Sequence, residues 1–114
     1  MTYLAFEAIG IDRTQVETSV SYLDHNLLYL DNKTPDDHIY LQSVAKRFGV
    51  HVSRPGNGIC HAVHVARFGA PGKLSMGGDS HTPHGGSIGM LCIGVGGMAV
   101  ATAMTGVPMR LKMP

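Results

Sequence analysis

The chain reads as an α/β protein, a three-layer αβα arrangement around a largely parallel sheet, and three observations predict it. Strand-like runs alternate with amphipathic helical runs. The turns between them are short and carry Gly, Pro, Asn and Asp. The 114 residues, 44% of them hydrophobic, suffice for one core of ordinary size and not for two. Residues 1–114 are therefore expected to form a single α/β domain.

In order, Thr2 to Ile9 sets Leu4, Ala5, Ala8 and Ile9 on one helical stripe, with Gly10 as its stop. Gln15 to Leu23 alternates Val16, Thr18, Val20 and Tyr22 with Glu17, Ser19 and Ser21, the period of a strand, and runs out at Asp24-His25-Asn26. After the polar turn Asp31 to Pro35, Asp36 to Phe48 is an amphipathic helix with Ile39, Leu41, Val44, Ala45 and Phe48 inward, closed by Gly49. Val50-His51-Val52 is a short strand. The unit repeats with Arg54 to Gly58 as a turn, Ile59 to Phe68 as a helix, Ala70-Pro71-Gly72 as a turn and Lys73 to Met76 as a strand. Ligands of parallel sheets collect at the carboxyl ends of the strands, which places Asp24-His25, Pro55-Gly56 and Asp79-Ser80-His81 along one rim.

Composition excludes several functions. A net charge of +1, scattered Lys and Arg and few aromatics leave no basic stripe or stacking platform, so no nucleic-acid partner is expected. Gly85 to Met109 carries no Asp, Glu, Lys or Arg and is long enough to span a bilayer, yet it is built of Gly, Ala, Thr and Ser rather than Leu, Ile and Phe. A buried segment whose small residues let backbones approach is the expectation, with no membrane partner. Cys60 and Cys92 form no Cys-x-x-Cys pair and are expected as reduced thiols. The N-terminus shows neither a signal peptide nor an Arg-rich transit peptide. Both points predict a cytoplasmic protein.

The run Gly78 to Gly86 is the densest in chemistry, with a carboxylate, a hydroxyl and an imidazole in three consecutive positions, Asp79, Ser80 and His81. It leaves an apolar strand, turns, and opens into glycines at a helix start, where free amides suit a carboxylate or phosphate. Asp24-His25 repeats the pairing of carboxylate and imidazole, which raises a histidine pKa toward working pH and suits a general acid. Each Asp or Ser is equally a turn cap and each His a satisfied hydrogen-bonding group. His61-x-x-His64 and His81-x-x-His84 raise a metal site, but no third ligand stands at a zincin-like offset; no metal ligand is assigned, and His64 is expected to face solvent. Gly94-Val95-Gly96-Gly97-Met98-Ala99 has the spacing of a dinucleotide loop, but no Asp or Glu follows Asp79 to hold a ribose, so close helix packing explains these glycines. Cys60 and His61, adjacent on a helix, point apart and make a poor thiolate–imidazole pair.

Four ordered segments resemble the aconitase family of iron–sulfur hydro-lyases: Tyr22-Leu23-Asp24-His25-Asn26, Arg54 to His61, Gly78 to Pro83 with Gly85-Gly86, and Ile93 to Gly97. The likeness extends to Gly106-Val107-Pro108 and Leu111-Lys112-Met113-Pro114. The resemblance implies an aconitase-type iron–sulfur domain and a role for each matching residue. His25, paired with Asp24, matches the acid that protonates the departing hydroxyl. His61 and His81 match histidines lining the site, Asp79 their carboxylate partner, and Ser80 the serine that binds a substrate carboxylate. The implied reaction is reversible dehydration and hydration of citrate and isocitrate, or of a related hydroxy-polycarboxylate such as homoaconitate or isopropylmalate, in tricarboxylic acid metabolism. A Lewis-acid iron holding the hydroxyl and a base removing the α-hydrogen complete that chemistry.

The departures are informative. Family members hold a 4Fe–4S cluster with three cysteines that include a Cys-x-x-Cys pair, absent here, so the resemblance implies a cluster in the intact enzyme and none held by this chain. The later substrate-clamping arginines and the basic serine are also missing, His84 stands where aconitases proper place asparagine, and Ala62 stands where glutamine is common. The chain is thus expected to be a fragment of an aconitase-like N-terminal region, partnered by the remaining aconitase domains and inactive alone. A non-catalytic polycarboxylate-binding or anion-binding module and a histidine-rich metal-binding domain using His61, His64, His81 and His84 are the alternatives.

Overall fold

The computed structural model describes residues 1–112, so Met113 and Pro114 of the closing motif lie outside the described residues. The elements follow as α1 (Thr2–Ile9), β1 (Val20–Tyr22), α2 (Lys33–Phe48), β2 (His51–Ser53), α3 (Cys60–Phe68), β3 (Leu74–Gly77), a 3-10 helix (Thr82–Ile88), β4 (Leu91–Gly94) and α4 (Gly97–Met104). Strands and helices alternate and the strands pair in parallel, as an α/β chain requires. Val20 lies opposite His51 and Tyr22 opposite Ser53, while Leu74 lies opposite Leu91 and Gly77 opposite Gly94. Among the described residues these are two separate two-stranded sheets, β1-β2 and β3-β4.

The core joins α1, α2 and α4. Phe6 and Phe48 are fully enclosed and meet edge to face at 4.9 Å between ring centroids, with Tyr3, Ala45, Val50, Ala101 and Met104 around them. α1 keeps the bounds that its periodicity predicts, ending at Gly10 with φ 81°, but its inward face is Tyr3 and Phe6; Leu4 and Ile9 are exposed. The reason is tertiary: α1 lies on α4 and on the end of α2, and the side that meets them takes the two aromatic rings. A Cβ on Gly97 would stand 2.8 Å from Thr2 Oγ1, so this glycine serves the close approach of α4 to α1 that the glycine-rich segment predicts.

α2 begins three residues before the expected Asp36. Asp31 Oδ1 accepts the Lys33 and Thr34 amides at 3.1 and 3.2 Å, and Pro35 falls in the first turn, where its missing N–H breaks no intrahelical bond. Ala45 and Phe48 are buried and Leu41 and Val44 half-buried, but Ile39 points outward at 65% exposure while His38 is buried against Tyr29. β1 is shorter than the alternation over Gln15 to Leu23 predicts. Thr14 and Gln15 donate their amides to the carbonyls of Phe48 and Met104 instead of to a ladder, which ties the α1–β1 connection to the core.

Beyond β3 the chain forms a 3-10 helix where the glycines predict a helix start, and Gly85 is its buried residue. A Cβ there would overlap Cys92 Sγ on β4, so only glycine lets this segment lie on the strand. No helix among the described residues is long and apolar enough to cross a membrane.

Candidate active site

Parallel pairing sends the exits of β1 and β3 in the direction their ladders set, and helix α3 starts beside both. Asp24 follows β1 by two residues and Asp79 follows β3 by two, while Cys60 and His61 open α3. Asp24 Oδ2 accepts the backbone amide of Cys60 at 2.6 Å, so a carboxylate from one element caps the orphan donors and positive dipole end of another. Its other oxygen, Oδ1, accepts His25 Nδ1 at 2.9 Å. Burial alone would push the Asp24 carboxyl up, but the hydrogen bonds from His25, the Cys60 amide and the Cys60 thiol outweigh it, and the group titrates below the ordinary carboxylate range. The Asp24 hydrogen bond and charge raise His25 in turn. His25 itself stands in the open, its side chain 68% exposed against 9% for Asp24.

Asp79 organises the second half. Its Oδ2 accepts the His81 amide at 2.7 Å, lies 3.5 Å from His61 Nδ1 and 3.8 Å from His81 Nδ1, and its carbonyl accepts the Thr82 hydroxyl at 2.7 Å. Ser80 Oγ is 3.2 Å from His81 Nδ1. The rings of His61 and His81 stack at 4.9 Å, and His84 meets His61 edge-on at 5.5 Å. Asp24, His25, His61, Asp79, Ser80 and His81 thus come from three chain segments to one place, beside a cavity of about 900 Å³ lined by both β1 and β3.

Two expectations change. His64 does not face solvent: it is half-buried, with Nδ1 2.9 Å from Tyr22 Oη and Nε2 3.5 Å from Ser75 Oγ. Burial pushes the Tyr22 phenol up to about 12, so it stays protonated and donates to Nδ1. Burial also lowers the His64 pKa, which keeps the ring neutral with its proton on Nε2. His64 therefore joins β1 to β3 and is not grouped with His61 as a ligand. The second change concerns Cys60, absent from the site by sequence reasoning. It is buried, and burial, then the Asp24 hydrogen bond and the charges of Asp24 and Asp79, push its thiol up to about 12. The sequence expectation that Cys60 and His61 point apart is corrected, since Sγ and Nδ1 lie 3.8 Å apart, but the raised thiol leaves little thiolate for a nucleophilic pair. Its place directly after a Gly-rich turn, opening a helix, is the signal that marks it.

The donor set does not fit an iron–sulfur cluster, which is held by several thiolates. Among the described residues the one grouping of three metal-ligating side chains is Cys60, His61 and Asp79, with a single sulfur. Cys92, the other cysteine, packs on Gly85. Both cysteines are free.

The sequence model of the aconitase family (aconitate hydratase) matches residues 8–114. The chain is similar, over its whole length, to homocitrate dehydratase, mitochondrial, of Saccharomyces cerevisiae, at 38% identity over 124 residues and 16% of that protein. It is 36% identical over 126 residues to an aconitase-ribosomal protein bL21m fusion protein of Schizosaccharomyces pombe, covering all of this chain and 13% of the relative. A probable aconitate hydratase, mitochondrial, of Dictyostelium discoideum is 34% identical over 124 residues, again across the whole chain and 16% of the relative. The chain spans 13 to 16% of the length of these relatives. The mitochondrial names contradict the cytoplasmic expectation. Two cysteines without a bridge do not distinguish one reducing compartment from another. With three of the resembling segments brought to one carboxylate–histidine site and a family match over nearly all its residues, the chain belongs to the aconitase family, whose members are hydro-lyases that generally use a 4Fe–4S cluster.

Proposed function

We propose that this chain forms the histidine-and-carboxylate wall of an aconitate hydratase-like active site, within a protein whose remaining parts supply the cluster cysteines and the α-proton base. The substrate is a hydroxy-polycarboxylate of the citrate, isocitrate or homocitrate type. The observation that carries this reading is the His25–Asp24 pair at 2.9 Å, in which a nearly buried carboxylate faces an exposed imidazole. A hydroxyl leaves as water only when it gains a proton. An exposed imidazole whose pKa is raised by its own carboxylate holds that proton near neutral pH and presents it to solvent-borne substrate.

The other residues take roles that follow from their places. Ser80, exposed beside His81, donates its hydroxyl to a substrate carboxylate. His61 and His81, both beside Asp79, add hydrogen-bond donors for a polyanionic substrate. None of these residues removes the α-proton in this reading; that base lies elsewhere in the protein.

The test is steady-state hydration of cis-aconitate and of its one-carbon-longer homologue by the whole cluster-loaded protein, wild type against His25→Asn and Ser80→Ala. His25→Asn is expected to lower kcat by about 10²- to 10⁴-fold, the usual contribution of a positioned general acid. Ser80→Ala is expected to raise KM. An unchanged kcat in His25→Asn excludes the acid role.

A further inference from the structure

We propose that Cys60, His61 and Asp79 form a binding site for a thiophilic divalent cation of the zinc type. Cys60 Sγ, His61 Nδ1 and an Asp79 carboxylate oxygen all lie within 4.8 Å of one another. Zinc bonds sulfur at about 2.3 Å and imidazole nitrogen or carboxylate oxygen at about 2.0–2.2 Å, so neighbouring ligands on a tetrahedral ion stand roughly 3.3–3.7 Å apart. The Nδ1–Oδ2 separation is 3.5 Å and the Sγ–Nδ1 separation 3.8 Å, so one edge of that tetrahedron is already formed and a second nearly so. The third, from Cys60 Sγ to an Asp79 oxygen, lies within 4.8 Å.

The chemistry matches as well as the spacing. One thiolate and one carboxylate neutralise a divalent ion, and the neutral imidazole completes a sulfur, nitrogen and oxygen set that zinc accepts. The His81 amide holds Asp79 Oδ2 at 2.7 Å, and the supporting hydrogen bond fixes the orientation of that carboxylate before the ion arrives. Cys60 and His61 are fixed by the first turn of α3, where Asp24 caps the Cys60 amide. With three protein ligands, the fourth position is left for water or a ligand oxygen. On loading, the S–H bond of Cys60 is replaced by a sulfur–metal bond and the proton leaves to solvent, with no change of oxidation state. This inference shares His61 and Asp79 with the proposed hydro-lyase wall but needs neither substrate nor cluster, so its failure and the failure of that reading are distinguishable.

Cobalt(II) is the probe, added anaerobically to the metal-free chain of 114 residues, whose two cysteines are Cys60 and Cys92. The expected result is a thiolate-to-cobalt charge-transfer band that saturates at one equivalent and is displaced by zinc. Cys60→Ser abolishes the band and Cys92→Ser retains it. His61→Ala and Asp79→Asn each weaken cobalt binding at least about tenfold. Far-ultraviolet circular dichroism of Cys60→Ser checks its fold, and if that variant unfolds the His61 and Asp79 variants decide. A wild-type protein without the band, a band that survives Cys60→Ser, or unchanged affinity in both His61→Ala and Asp79→Asn overturns the proposal.

Discussion

The carboxylate of Asp24 accepts the backbone amide of Cys60, 36 residues further along the chain, at 2.6 Å. This bond joins the exit of β1 to the first turn of α3, and the same carboxylate holds His25 through its other oxygen. One side chain thus carries a helix cap and a candidate proton donor together. Because the two oxygens hold different partners, a substitution at Asp24 disturbs both tasks.

Asp24→Ala removes both hydrogen bonds and leaves the Cys60 amide unsatisfied. Bonds to a charged group contribute about 1.5–3 kcal/mol, so a loss of that size is expected in the unfolding free energy, read from urea midpoints. The pH dependence has a definite sign. Since the folded carboxyl titrates below its unfolded value, its contribution is complete above the ordinary carboxylate pKa of about 3.9 and is lost as pH falls through the lowered folded value. Wild type and Asp24→Ala should therefore differ in stability at pH 6 and converge under strong acid. A difference that stays constant from pH 6 to strong acid contradicts this linkage.

Cys60 should resist alkylation. Its thiol is buried and pushed up to about 12, so almost no thiolate exists at pH 8, and thiolate is the species that reacts. Treatment with iodoacetamide followed by peptide mass spectrometry should find Cys60 unmodified in the native protein and labelled after denaturation. Labelling of native Cys60 as rapid as that of the unfolded chain contradicts the assignment.

Gly85→Ala places a methyl group on Cys92 Sγ. Overpacking of this kind costs about 1–3 kcal/mol, to be read from denaturant or thermal unfolding. Adding Cys92→Gly should recover part of the loss, which a purely backbone effect of the alanine would not allow. No recovery in the double variant would assign the loss to the 3-10 backbone.

Much of the fold was legible because local signals and tertiary packing agree there. The bounds of α1, the closure of α2 at Gly49 and the short strands β2 and β3 all follow from periodicity and turn residues. Helix faces were harder. Leu4 and Ile39 are apolar and correctly spaced, yet both are exposed, because α4 and Phe48 select Tyr3 and Phe6 from the other side of α1, and His38 turns in to meet Tyr29. Periodicity counts apolar residues but does not say which neighbours arrive.

The site divides the same way. Asp24-His25 and Asp79-Ser80-His81 announce themselves as adjacent polar groups at strand exits. The capping of Cys60 by Asp24 and the bridging of Tyr22 and Ser75 by His64 join residues far apart in sequence, and no local spacing encodes them. The two strand pairs, in place of one sheet, arise for a related reason: alternation of strands and helices predicts parallel pairing but not which edges are shared.

Asp24 sets the proton on His25. The most direct measurement is an NMR titration of the His25 ring in wild type and Asp24→Asn, which removes the charge and retains the side chain's shape. Wild-type His25 should titrate above the ordinary value of 6.5, and Asp24→Asn should return it toward that value. Because the folded value is raised, the stability that the pair adds is complete below 6.5 and disappears as pH rises through the His25 titration. The same His25 pKa in both proteins would contradict the pairing and, with it, the assignment of His25 as the proton donor.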